Sequence, residues 1–379
     1  MISGSLPVLR VTRVQNQFHT IAVDRCSLSR NQIVLYAGCI DGRIRVYALN
    51  LGTPTSLEDQ DLLSEESSLH TKGGAAIKAL CVRAAVGGQV EIVAADTLGQ
   101  LTIFNRQQIV WRGSSLGAVT TLTAYEDATG CVSYVSGDVT GTIMSFSQWD
   151  RLPEWRAGRR LRLEAWEGRG QLRLVDNVMD VPQCPAVVQL GEGVRAVASA
   201  LFPDGAGSAQ ALLAVCSDRK CLLLYSADQL VQAVPLPATC TCLCIGCFTH
   251  SAQSRGLLQV ALGGVDGHIY VVTPTLAAEA SEVVGVLGTS SQCITQITAC
   301  PSVGKLDAVV CAGHFSGVRM FRGNEMVAHG DAPDWVHCLV YYEYSAKQVD
   351  TGCDTSTAEG ILLAGTSQNR VIMYDIGIF

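Results

Sequence analysis

The sequence predicts an all-β fold: a closed ring of seven four-stranded antiparallel blades, a seven-bladed β-propeller. Three observations carry that expectation. A strand–turn–strand pattern recurs seven times, its turns lie about one blade apart, and each copy follows another strand-like run. The copies are 33–47, 91–104, 132–146, 211–225, 257–271, 307–321 and 361–374. The turn positions are Gly42, Gly99, Gly141, Lys220, Gly267, Gly317 and Asn369, separated by 57, 42, 79, 47, 50 and 52 residues. A four-stranded blade takes roughly 40–50 residues. Glycine and asparagine accept the positive φ that a tight hairpin turn demands.

The elements follow in order. Apolar residues fall two and four places after the turns, as in Ile44/Val46, Leu101/Ile103, Leu222/Leu224 and Ile269/Val271, the period of a strand. The first strands of the blades are expected at 19–24, 76–82, 118–125, 194–202, 240–248, 293–300 and 335–344. Outer strands are expected at 108–113, 229–236 and 325–330. The last unit stops after its third strand, near Asp375, and residues 7–14 supply the missing fourth. Closing the ring in this way removes an exposed sheet edge.

The third-strand ends are Tyr47-Ala48, Phe104-Asn105, Phe146-Ser147, Tyr225-Ser226 and Tyr374-Asp375, and turn acids stand at Asp41, Asp218 and Asp266. On these residues nearly the whole chain resembles the WD-repeat family in a degenerate form. Its Trp-Asp pair and preceding Gly-His are missing. Other propeller families therefore stay open, including the phenylalanine-glycine/glycine-alanine-proline repeats of integrin-type propellers. The resemblance implies the ring; its function is a separate question, since fold does not dictate function.

Composition narrows the function. Hydrophobic residues make up 48% of the 379 residues and charged residues 16%, below the usual ~25%. That composition predicts a large core and suits a subunit embedded in an assembly. The net charge of −7 argues against duplex nucleic acid or an anionic membrane face. No apolar run is long enough to span a bilayer, and no secretory leader is expected. The sixteen cysteines are therefore expected as reduced thiols in the cytoplasm or nucleus of a protein that is not secreted.

Two stretches interrupt the period. Residues 50–75 carry five acids, Glu58, Asp59, Asp61, Glu65 and Glu66, and are expected as an exposed loop. Residues 147–193 hold Trp149, Trp155 and Trp166, and 150–173 has seven arginines against four acids, among them Arg156, Arg159, Arg160 and Arg162. Residues 152–171 are expected to hold a short helix or the outer strand of the third blade, with an eighth blade within the whole gap as a further alternative. Trp and Arg are enriched at interface hot spots, and the two stretches have opposite charge. Both are candidate partner-binding segments of a single domain.

Chemistry-bearing motifs are weak. Cys240, Cys242 and Cys244 alternate along one strand and are expected to share a face, with Cys247 beyond. Such a row cannot close a zinc tetrahedron alone. Gly113–Gly117 matches the Gly-x-Ser-x-Gly pattern but lies between strands, not at the strand–turn–helix a nucleophile needs. No phosphate-binding glycine motif occurs, and the seven histidines are scattered. No catalytic residue, cofactor or metal is assigned. The expected function is a non-catalytic scaffold in a multiprotein complex, with small-molecule substrates and nucleic acid disfavoured. The alternative is an enzyme or peptide reader at the channel mouth.

Overall fold

The computed structural model describes residues 4–24, 32–50, 61–63, 65–84, 90–105, 107–127, 130, 132–146, 159–165, 172–178, 187–203, 209–226, 229–274, 283–289, 292–302, 305–345 and 358–376. Seven antiparallel sheets form the ring. Their first strands are Phe18–Asp24, Ile77–Ala84, Val119–Glu126, Val194–Pro203, Cys240–Gly246, Ile294–Cys300 and Val336–Ser345. Each lies beside the first strand of the next sheet, and the last lies beside the first. These are blades 1 to 7.

The core explains why the strands read as continuous apolar runs. It divides into seven buried clusters, each between two adjacent blades. In strand Ala209–Ser217, Ala211, Leu213 and Val215 pack toward blade 3, while Leu212, Ala214 and Cys216 pack toward blade 5. Both faces of a blade are covered, so alternate residues are apolar on either side. The positions where the WD-repeat pattern has Trp hold Tyr47, Phe104, Phe146, Tyr225 and Tyr374, all fully buried.

The ring closes as expected and with additions. Val8–Arg13 pairs antiparallel with Arg370–Asp375. Gly4–Ser5 lies parallel to Ala328 and His329 of blade 6, and Asp61–Leu62 lies parallel to Thr12 and Arg13. Leu6, buried between these pairings, joins the cluster shared by blades 6 and 7. The N-terminal segment thus holds the last two blades together.

Several expectations are corrected. The 50–75 stretch is not all loop, because Asp61–Leu62 and Glu65–His70 are strands, the latter the outer strand of blade 1. The outer strand of blade 3 is Val187–Gln189. Among the described residues the stretch before it holds a two-stranded hairpin, Arg159–Ala165 with Leu172–Val178, and no helix or four-stranded eighth blade. Lys220 is absent from the positive-φ residues, unlike the other six turn positions. The outer strand Val283–Thr289 and the short helix His250–Arg255, capped by Thr249 and Gly256, had no clear sequence signal.

Leu6→Ala is expected to lower the unfolding free energy by about 2–5 kcal/mol, the range for a fully buried leucine. Urea denaturation measures it, and a loss near zero would show that the N-terminal segment does not hold the ring.

Candidate interaction face

One side of the ring is built by a sevenfold device. In every blade the first strand carries a bulge near its start, at His19, Lys78, Thr120, Arg195, Thr241, Thr295 and His337. One extra residue there breaks the ladder and re-aims the side chains. Beside each bulge, an N–H of the hairpin turn donates to a carbonyl of the loop entering the same blade. The pairs are Ile40–Gln17, Thr97–Ala76, Val139–Ala118, Asp218–Gly193, Val265–Thr239, His314–Cys293 and Ser367–Trp335, all between 2.9 and 3.1 Å. Turns and entry loops therefore form one rigid surface around the channel mouth.

Turn acids brace this surface. The Asp138 carboxylate accepts from the N–H groups of Thr140, Thr142 and Gly117 and from the Ser115 hydroxyl, at 2.7–2.9 Å. Burial pushes its pKa up, but the hydrogen bonds outweigh burial and hold it below the usual value. Asp96 accepts from Leu98 and Gln100. Ser115, the serine of the Gly-x-Ser-x-Gly match, is thus a turn brace.

Several charged groups here are paired within the fold, whereas both carboxylate oxygens of Asp334, beside Trp335, accept no hydrogen bond among the described residues. Arg45 bridges Asp41 and Glu65 at 2.7 and 2.9 Å. Arg195 meets Asp218, and Arg219 meets Glu192. His268 and the Tyr270 hydroxyl both approach Asp266. Apolar residues on the face are not covered. Among the described residues ten large hydrophobics are exposed, and six of them (Ile40, Leu98, Leu116, Val139, Val265 and Trp335) stand on this face. Leu98, Leu116 and Trp335 are 72%, 63% and 62% exposed. The loop bearing Leu116 is wedged between the turns of blades 2 and 3, since a Cβ on Gly99 would lie 2.6 Å from the Gly117 carbonyl and one on Gly117 would lie 3.3 Å from Val139. Leu98, Leu116 and Val139 thus stand on adjoining loops. Across the ring, Trp335 stacks on His314 with ring centroids 5.6 Å apart.

At the channel mouth, His337 packs against Phe18 at 5.2 Å. Burial, helped by His19 and Lys78 and opposed by the Phe18 backbone and Asp334, pushes its pKa down to about 4. Burial and Lys78 also lower His19. Among the described residues no group of three His, Cys, Asp or Glu is placed to hold a metal.

The expected cysteine row is broken. The bulge between Cys240 and Cys242 sends Cys240 to the cluster shared with blade 4, and Cys242 and Cys244 to the one shared with blade 6. Burial drives the pKa of Cys242 and Cys244 well above the ordinary thiol value. Among the proposed contact residues, Trp149, Trp155, Arg156, Trp166, Glu58 and Asp59 lie outside the described residues. Arg159, Arg160 and Arg162 lie on the blade 3 hairpin and Asp61 on the strand beside Thr12. Glu65 and Glu66 are exposed on the outer strand of blade 1, and Glu65 is held by Arg45. The turn face itself escaped the sequence reading, although its apolar members sit beside the turn positions.

No protein-family model matches the chain, and no curated protein matches it in sequence. Solved structures match in fold. A crystal structure of BBS1N in complex with ARL6DN superposes with a TM-score of 0.63 at 12% identity, covering 99% of this chain and 97% of that one. A second crystal of the same complex gives 0.62 over 99% and 98%. The WD40 β-propeller domain of Doa1 gives 0.59 at 12% identity over 98% and 97%. The chain has the fold of a WD-repeat-like seven-bladed propeller. No helix among the described residues is long and apolar enough to cross a membrane.

The lowered pKa of His337 has a defined consequence. Between pH 6.5 and about 4 the unfolded chain binds a proton that the folded chain refuses. Stability therefore falls as pH falls through that window. His337→Gln removes this contribution, worth about 2–3 kcal/mol at the acid end. Thermal melts across the window are expected to slope more gently for the variant; equal slopes would refute a buried neutral imidazole.

Proposed function

We propose that the chain is a non-catalytic interaction subunit: a single propeller domain, with inserts at about 50–75 and 147–193, that docks proteins within a larger assembly. The turn face carries the reading. Its uncovered apolar residues stand on hydrogen-bonded turns, while several neighbouring charges, such as Arg45, Arg195 and Arg219, are paired internally. A rigid scaffold that presents exposed apolar residues marks an interaction site. BBS1N, which shares the fold, is seen in complex with another protein, ARL6DN.

Further contacts are proposed for Trp149, Trp155, Arg156, Arg159, Arg160, Arg162 and Trp166, and for the acids Glu58, Asp59, Asp61, Glu65 and Glu66. The first group suits an anionic partner surface by charge and residue type. Partners in this reading are proteins, met in the cytoplasm or nucleus. No cofactor, nucleic acid or small substrate is required.

The test isolates tagged protein gently from its native cells, sizes it by gel filtration and identifies companions by mass spectrometry. Leu98→Arg with Leu116→Arg is expected to abolish a stoichiometric complex while changing stability by less than about 0.5 kcal/mol each. A parallel variant with Trp155, Arg159, Arg160 and Trp166 changed to Ala reads the insert's share. A partner-free monomer would overturn the reading.

A further inference from the structure

A second surface lies on the outer wall, between blades 5 and 6. Two cavities of 720 and 760 Å³ adjoin there and share Leu287 and Asn324. The upper one reaches Ser316 and Asp331 beside the turn face, and the lower one reaches the His250–Arg255 helix and Lys305. Together they make one groove along the height of the ring. Its inner wall is the outer strand of blade 5, Val283–Thr289, seven residues long. At about 3.3 Å per residue, such a wall accommodates an extended peptide of similar length.

The sequence of that strand opens the groove. A Cβ on Gly285 would meet nothing within 4 Å, so the missing side chain leaves space. Gly288 comes so close to Phe321 that a Cβ would lie 2.6 Å from the ring. Leu287 and Phe321 form a buried apolar floor, and Met326 is exposed beside it.

The groove also carries charge against the trend of the molecule. Arg319, Arg322 and Lys305 line it, against Glu325 and Asp331, in a chain of net charge −7. Arg322 serves the fold, donating to the Leu306 carbonyl and the Ser302 hydroxyl. Arg319 and Lys305 form no ion pair among the described residues; the Arg319 guanidinium lies 4.2 Å over the Phe315 ring. These two cations stand toward opposite ends of the groove, with the apolar floor between them.

The chain itself uses its outer edges as docking rails. Gly4–Ser5 adds to the edge of blade 6, and Asp61–Leu62 adds to the edge strand of blade 7, both in parallel. The outer strand of blade 5 has no such addition among the described residues. We propose that the blade 5–6 groove binds an extended acidic segment of a protein partner, with carboxylates at Arg319 and Lys305 and an apolar side chain over Leu287 and Met326. Strand addition supplies backbone hydrogen bonds, and the lining supplies selectivity. This goes beyond the turn-face reading, and the groove would hold such a segment whether or not the turn face docks a protein.

The test pans a phage-displayed library of short random peptides against the intact chain. Enriched peptides are synthesised with a fluorescent label and titrated by anisotropy. Acidic sequences with an apolar residue between their acids are expected. Their affinity should fall about tenfold or more in Arg319→Glu with Lys305→Glu, and with rising salt. Gly285→Trp, at a position outside the left-handed region with open space for a side chain, should abolish binding. Leu98→Arg with Leu116→Arg should leave it unchanged, which separates this site from the turn face. If Gly285→Trp does not fold, the charge-reversed variant decides. No enrichment, enrichment without acidic bias, or binding that survives charge reversal would each overturn the proposal.

Discussion

Every blade buries both of its faces against its neighbours, so no blade is complete until the ring is closed. The pairing of Val8–Arg13 with Arg370–Asp375 is the interaction that meets this condition. It joins the N-terminal segment to the last strand of the chain and seats Val11 in the cluster that blades 6 and 7 share. Without it the last blade would present an unpaired edge, and the apolar faces of blades 1 and 7 would lose a wall. The added pairings of Gly4–Ser5 and Asp61–Leu62 extend the same closure outward.

Closure also creates the turn face. Once the first strands are packed around the channel, their bulges and the turns beside them are brought to one end of the ring. The repeated bond from turn N–H to entry-loop carbonyl then removes freedom from backbone that would otherwise be loose. Residues such as Leu98 and Leu116 are held out to solvent by a surface with little freedom to fold them away. Under the proposed function, a partner docking there gains apolar contact without a large ordering cost.

The titratable groups with displaced pKa values serve the fold. Displaced pKa values often mark catalytic groups, but here burial drives them toward their neutral forms. It raises the thiol of Cys221 to about 11 and that of Cys338 to about 12, and it lowers His337. The groups held in their charged form are bracing ones. Asp41 and Asp138 are kept ionised by hydrogen bonds that fix turns, and Arg45 is kept charged chiefly by Asp41.

The sequence by itself determined the seven hairpins, the inner strands and the closing role of residues 7–14. Those features depend on local period, turn chemistry and apolar content, which a linear pattern carries. Its weakest readings came where a signal was short or depended on neighbours. The outer strands Val187–Gln189 and Val283–Thr289 are brief or glycine-bearing, and Cys240 parts from Cys242 because one bulge residue changes the side to which a strand residue points. Only the tertiary structure gathered Leu98, Leu116, Val139 and Trp335 onto one face, because turns far apart in sequence meet there once the ring has closed. It alone made the groove between blades 5 and 6, since Arg319 and Lys305 line one groove only when two blades stand side by side.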